Sequence, residues 1–134
     1  MVEDAKKTTA KNDSVVQVFN WDELEREHVR SGVSRAAFRG DNVLMVMNWL
    51  QPGMETRPHN HPCEQLVYVV QGRMRFHVED EVHDLGTGGL LRIPPNAMHY
   101  GEPLGDEVVL NLDVFSPIRD DYKHLVAYQA AAFE

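Results

Sequence analysis

From Val33 onward the chain consists of short apolar runs separated by turns that contain glycine or proline. One run, Arg73–Val78, alternates strictly, with Met74, Phe76 and Val78 on one face and basic residues between them. A period of two places successive side chains on opposite faces, so this run predicts a half-buried β-strand. Similar runs predict further strands at Val43–Leu50, Gln65–Val70, Val82–Leu85, Leu90–Ile93 and Val108–Phe115. Because no long helix fits between them, we expect an all-β antiparallel sandwich or barrel.

Short helical segments are predicted before and after these strands. Asn20 is followed three residues later by Glu23, a capping-box pattern, and we expect a short helix from there to about Val29. This helix would cover an edge of the barrel rather than form its core. A final short helix, capped by an aspartate, is predicted from Asp120 onward.

Length and charge narrow the class of protein. The 134 residues suffice for one domain, which we place at residues 15–134, after a polar tail over residues 1–14 that we expect to be disordered. The net charge of −8 repels phosphate backbones, which makes nucleic acid an improbable partner. No run approaches the roughly 20 apolar residues of a membrane helix, and a single cysteine forms no internal disulfide. We therefore expect a cytoplasmic protein that acts on a small molecule.

Two histidines mark the candidate chemistry. His59 and His61 are two positions apart, and on a strand such residues point to the same side. Gln65 follows at an even offset and can join that face. Taken alone, so short a motif also fits a pair of surface histidines.

The surrounding residues form two longer patterns. Residues 53–72 read G-x5-H-x-H-x3-Q-x6-G, and residues 88–99 read G-x5-P-x-N-x2-H. Together they resemble the two motifs of the cupin family, at residues 53–72 and 88–103. The resemblance implies a jelly-roll barrel, the cupin double-stranded β-helix. It also implies one bound divalent metal ion, held by His59, His61, Gln65 and His99.

This sequence departs from the usual cupin pattern at three positions. Gln65 stands where the family usually has glutamate, Asn96 replaces a turn glycine, and Pro103 replaces a frequent asparagine. Asparagine tolerates the left-handed conformation, so the second change is a mild one. Three imidazoles and a carbonyl oxygen suit a first-row ion, that is Ni, Zn, Fe, Mn or Co. A neutral glutamine leaves the full double charge on the ion, which favours non-redox, Lewis-acid chemistry.

Other candidate residues have two interpretations each. Cys63 shares the parity of His61 and Gln65, but it is more simply a small buried thiol than a ligand. Arg57 and Arg92 could bind a substrate carboxylate or could be outward-facing charges. Asp113 alternates with apolar neighbours, which places a carboxylate either in the interior, where it is costly unless it acts or is paired, or in a barrel-mouth salt bridge with Arg119.

A closer resemblance rests on three segments. The run H-x-H-P-x-x-Q, the segment IPPNAMH and the late pattern D-x-F-x-P-x-R-D are similar to those of KdgF-type cupins of pectin and alginate breakdown. The similarity covers the chain from about Arg35 to Asp121. It implies linearisation of a 4,5-unsaturated uronate to an open-chain keto acid. It also implies that Asp113, Phe115 and Arg119 line the pocket.

Three functions follow from these observations. The first is a metal-dependent, non-redox lyase or isomerase of a small sugar acid or related oxyacid. In it Asp113 moves a proton, Arg119 holds the carboxylate, and Arg57, Phe115 and Arg92 bind substrate. The second is a cupin dioxygenase that uses iron and oxygen, and the third is a non-catalytic small-molecule-binding module. We also expect a homodimer, since pairing would cover exposed sheet edges.

Overall fold

Nine strands form the body of this computed structural model, which describes residues 15–131. In chain order they are β1 (Glu27–Arg30), β2 (Val33–Arg39), β3 (Leu44–Leu50), β4 (Glu64–Gln71), β5 (Arg73–Val78), β6 (Glu81–Leu85), β7 (Leu90–Ile93), β8 (His99–Leu104) and β9 (Val109–Ser116). The tail predicted over residues 1–14 lies outside the described residues.

The strands form two antiparallel sheets. The larger sheet has the order β1-β2-β3-β9-β4-β7, and the smaller one has the order β6-β5-β8. The central strand β9 pairs with β3 on one side and β4 on the other. Strands distant in sequence are therefore neighbours, as in a jelly roll, and the all-β expectation is confirmed.

The helix predicted from Asn20 to Val29 is wrong in its extent. Asn20 does form the capping box with Glu23, but it opens only a 3-10 turn, Trp21–Glu23. The chain then becomes β1, which turns back at Gly32 and pairs with β2. Gly32 has φ +80°, a left-handed conformation that glycine adopts without strain, so the pairing displaces the helix.

The C-terminal helical segment packs against β2. It is a 3-10 helix, Asp120–Val126, continued by an α-helix, Ala127–Ala131. Arg119 occupies the N-cap position without a side-chain cap hydrogen bond, so the predicted aspartate cap is wrong. The Gln129 side chain accepts from the Arg39 backbone N–H (2.8 Å) and donates to the Arg39 carbonyl (3.0 Å). These bonds hold the helix across one end of the barrel.

Two apolar clusters fill the barrel at different levels. The larger lies between the sheets: Val33, Leu50, Val67, Val69, Met74, Phe76, Leu85, Ile93, Ala97 and Val109. The smaller lies under the C-terminal 3-10 helix: Ala37, Leu44, Val46, Cys63, Phe115 and Val126. Side chains from both clusters border one cavity, which holds the histidines described below.

The outer face of the larger sheet carries exposed apolar side chains. Leu66 and Tyr68 on β4 and Leu90 on β7 are 47%, 40% and 77% exposed. A second copy of the chain could cover such a face, and the homodimer stays a prediction. Within residues 15–131, no helix has both the length and the apolar character needed to cross a membrane.

Candidate metal centre

Two loops bring the three motif histidines together. His59 and His99 form an isolated antiparallel bridge, with backbone hydrogen bonds of 3.0 and 2.9 Å. The Asn96 N–H donates to the His61 carbonyl (2.8 Å), and Asn96 has the left-handed φ of +67° expected for a residue replacing glycine. The strand geometry assumed for His59 and His61 is therefore limited to a single bridge between His59 and His99.

The histidine rings converge at one end of the cavity. One potential ligand atom from each of His59, His61 and His99 lies within 4.8 Å of the other two. His59 is exposed at the rim, whereas His61 and His99 are buried. Three ligand atoms this close together could share one ion, which imidazole binds at about 2.1 Å.

Backbone carbonyls fix the tautomer of each ring. The Nδ1 atoms lie 2.8 Å from the Arg57 carbonyl for His59, 2.9 Å from that of Cys63 for His61, and 2.9 Å from that of Ala97 for His99. Because a carbonyl only accepts, each Nδ1 carries the proton and each Nε2 presents a lone pair. Burial also lowers the pKa of His59 and lowers that of His99 to about 4, which keeps both rings neutral.

Gln65 completes the ligand set from β4. Its Oε1 lies 3.0 Å from His61 Nε2, and its Nε2 donates to Asp113 Oδ1 at 2.9 Å. Because the proton of His61 is on Nδ1, Gln65 Oε1 and His61 Nε2 are two acceptors that face each other. A cation between them satisfies both. Turning the amide over would only move the conflict to Asp113.

His99 Nε2 is a second observation that fits a cation. It is buried and has no hydrogen-bond partner among residues 15–131. A buried acceptor without a partner costs about 1–3 kcal/mol, and a metal ion removes that cost. The three imidazoles and the amide oxygen therefore fit a divalent first-row ion, in agreement with the ligand set implied by the sequence.

Asp113 lies on β9 beside the ligand set. Its carboxylate accepts from Gln65, from Asn111 (3.0 Å) and from Asn48 (3.0 Å). Burial raises the pKa of Asp113 to about 6, and these three hydrogen bonds oppose the rise. The predicted salt bridge between Asp113 and Arg119 is absent among the described residues, because Arg119 pairs with Asp121 instead.

Arg119 presents an unpaired donor at the same cavity. Its Nε and Nη2 bind Asp121 at 3.1 and 2.7 Å, whereas its buried Nη1 has no partner. The guanidinium lies 5.0 Å from the Phe115 ring centroid and 4.2 Å from that of Tyr122. Held by these rings and by Asp121, it offers Nη1 to an anionic oxygen.

The cavity has a volume of about 110 Å³, which suits a small ligand. Four arginines line it: Arg30, Arg35, Arg57 and Arg119. Asp113 is the one acidic residue among its lining side chains. Burial, together with the neighbouring charge of Arg57, lowers the pKa of Arg30. Arg35, Arg57 and Arg119 each pair with a carboxylate, and the lining still presents guanidinium donors to an anionic ligand although the chain as a whole is acidic.

Three predicted residues stand apart from the ligands. Arg57 does line the cavity, at its mouth, where it pairs with Glu55. Arg92 faces outward from β7 and pairs with Glu64, so its substrate-binding assignment is wrong. Alternation explains the error, because Ile93 takes the buried side of that strand. Cys63 is buried behind His61, with its Sγ 3.3 Å from Nδ1 rather than near the converging Nε2 atoms.

The comparison with family models decides the classification. A model described as "Cupin domain" matches residues 48–115, about half of the chain. The chain belongs to the cupin family. The cupin match covers three of the strands that carry the site, and all four ligand positions fall inside it.

Solved cupin structures resemble this one over most of its length. KdgF from Halomonas sp. is 29% identical with a TM-score of 0.73, over 80% of this chain and 98% of that one. An RmlC-like cupin from Shewanella frigidimarina is 26% identical with a TM-score of 0.70, over 78% and 93%.

Characterised relatives are matched over shorter segments. A gentisate 1,2-dioxygenase from Haloferax sp. is 31% identical over 58 residues, and this chain spans 16% of its length. The polyketide synthase protein CurC of Streptomyces cyaneus is 29% identical over 108 residues, which are 76% of this chain and 70% of CurC. The names of these relatives differ in the activity they state, so the reaction must be argued from the site.

Proposed function

We propose that this cupin is a metal-dependent, non-redox lyase or isomerase of a small sugar acid, with a 4,5-unsaturated uronate as the first candidate substrate. One observation carries the proposal: Arg119, Asp113, His59 and His99 line the same small cavity, and Arg119 Nη1 is buried without a hydrogen-bond partner among the described residues. A carboxylate anchor, a proton-transfer group and a Lewis-acid site are the three components that such a reaction needs. The similarity to KdgF supports the same choice.

The residues divide the work as follows. Arg119 Nη1 binds the substrate carboxylate, and the rings of Phe115 and Tyr122 keep the guanidinium in place. Arg30 and Arg57 at the mouth attract the anion. A bound divalent ion would polarise a hydroxyl or carbonyl oxygen of the substrate.

Linearisation of an unsaturated uronate needs no external reactant. The bond between C1 and the ring oxygen breaks, the anomeric hydroxyl loses a proton, and C4 gains one, which leaves an aldehyde at C1 and a ketone at C5. Atoms and electrons balance if one group accepts the first proton and returns it to carbon. Asp113 lies in the cavity beside Gln65, where it can do both.

A dioxygenase that uses iron and oxygen is the second candidate. The similarity to a gentisate 1,2-dioxygenase supports it, although that match covers only 43% of this chain. Against it stands Gln65, since a neutral amide does less than a carboxylate to stabilise trivalent iron. Oxygen dependence separates the two candidates.

The test follows the ultraviolet absorption of the conjugated double bond in 4,5-unsaturated galacturonate, with metal-reconstituted protein under air and under nitrogen. We expect equal turnover in both. Asp113→Asn should lower turnover about 10²–10⁴-fold. Arg119→Lys should instead raise KM, since lysine lacks the planar fork that grips a carboxylate.

Arg92→Gln is the matched control, because Arg92 is an exposed, paired arginine outside the cavity. Its turnover should equal that of the wild type. Turnover only under air would replace the proposal with the dioxygenase. Tight binding of 4,5-unsaturated galacturonate without turnover under either gas would favour a non-catalytic binding module.

A further inference from the structure

The side-chain amide of Gln65 is held on both sides. Its Oε1 faces His61 Nε2 at 3.0 Å, on the metal side, and its Nε2 donates to Asp113 Oδ1 at 2.9 Å, on the opposite side. The two ends of an amide differ chemically, since one accepts and the other donates. The contact with Asp113 therefore sets which end faces the metal.

Asp113 is itself fixed by two asparagines on neighbouring strands. Asn48 and Asn111 are direct partners in the register of β3 and β9. Asn111 Nδ2 donates to Asp113 Oδ1 (3.0 Å), and Asn48 Nδ2 donates to Oδ2 (3.0 Å) and to the Asn111 carbonyl (3.1 Å). Every contact of the carboxylate is with a donor, so the side chain at position 65 must also present one.

We infer that Asp113, held by Asn48 and Asn111, is a positioning residue that requires an amide rather than a carboxylate at position 65 and turns the amide oxygen toward the metal. A glutamate there would place an oxygen where Gln65 Nε2 now lies, 2.9 Å from Asp113 Oδ1. Two carboxylate oxygens at that distance repel each other. Gln65, which stands where cupins usually have glutamate, and the buried Asp113 therefore depend on each other.

This coupling has a chemical consequence. A neutral fourth ligand leaves the charge of the ion undiminished. The nearby negative charge is on Asp113, which contacts the ligand Gln65 rather than the ion. The inference concerns the ligand set alone and goes beyond the proposed reaction. Failure of uronate turnover would therefore leave it intact.

A double-mutant cycle tests the coupling through metal affinity, measured by Zn²⁺ competition with a chelator. In the Gln65→Glu background, Asp113→Asn should raise Zn²⁺ affinity about tenfold, because it removes the repulsion. In the wild-type background, Asp113→Asn should leave the affinity unchanged or lower it. The same factor in both backgrounds would overturn the inference.

Gln71→Glu is the matched control, since it adds the same charge at an exposed site on the same strand. With it, the effect of Asp113→Asn should be the same as in the wild type. The visible spectrum of bound Co²⁺ gives a second readout: Asp113→Asn should change the spectrum of the Gln65→Glu variant more than it changes that of the wild type. If Gln65→Glu fails to fold, restoration of folding by Asp113→Asn supports the inference, and its absence overturns it.

Discussion

Metal binding should stabilise this barrel against thermal unfolding. Without an ion, His99 Nε2 is buried and unpaired, and His61 Nε2 faces Gln65 Oε1 across 3.0 Å. Each of these two buried arrangements destabilises the fold by about 1–3 kcal/mol, so a bound ion would remove roughly 2–6 kcal/mol of destabilisation. At a free-metal concentration of about 100 times Kd, binding stabilises the native state by about 2.7 kcal/mol. For a chain of this size that raises Tm by roughly 10 °C.

The assay is thermal unfolding of metal-free protein with increasing Ni²⁺, Zn²⁺ or Mn²⁺. In His99→Ala the rise in Tm should disappear, because one ligand and the buried unpaired nitrogen are both removed. His83→Ala is the control: His83 is exposed on β6 and pairs with Glu81, so its variant should respond like the wild type. An equal rise in His99→Ala would refute the placement of the ion among these ligands.

Two further predictions concern the scaffold that holds the site. Gly72→Ala should lower the unfolding free energy, measured by urea titration, by about 2–4 kcal/mol, since Gly72 has φ +99° and a Cβ would lie 2.8 Å from Val109 Cγ2. Gly53→Ala is the control: Gly53 has φ +78° and open space around it, so its unfolding free energy should fall by about half as much or less. Phe76→Ala should lower the unfolding free energy by about 3–5 kcal/mol, because it removes a core ring that is only 4% exposed. Val82→Ala on the neighbouring strand, where Val82 is 56% exposed, should change it by less than about 0.5 kcal/mol. Equal losses in the two variants would contradict the core assignment.

Where local pattern and tertiary pairing agree, the sequence predicted the strands well. The alternation of Arg73–Val78 predicted β5 with its observed bounds. By contrast, β8 was missed because Gly101 and Pro103 interrupt its pattern, and both are accommodated where it pairs with β5. The capping box at Asn20 formed as predicted, but strand pairing ended the helix after one turn. Local propensity yields to tertiary pairing in such cases.

The same distinction applies to the site. The candidate ligands could be named from the sequence because their spacing is local to two motifs, and the bridge between His59 and His99 joins those motifs. Asn48 was not recognised as a partner of Asp113, since this contact depends on the register of strands whose contacting residues are 65 positions apart. The contact of Asn111 with Asp113, two positions apart on β9, was also not recognised. A polar residue inside each otherwise apolar strand was the signal that could have revealed them.

The contrast between the acidic chain and its basic cavity has a kinetic consequence. Beyond the Debye length, about 8 Å at physiological salt, an approaching anion senses little of either charge. Closer in, most of the surface repels it and only the arginine-lined mouth attracts it. A small anion can enter that short-range field, whereas a long polyanion must also lie against the acidic exterior. We therefore expect added salt to lower the association rate of small anions, because it screens their attraction to the mouth, and to raise that of long polyanions, because it screens their repulsion by the exterior.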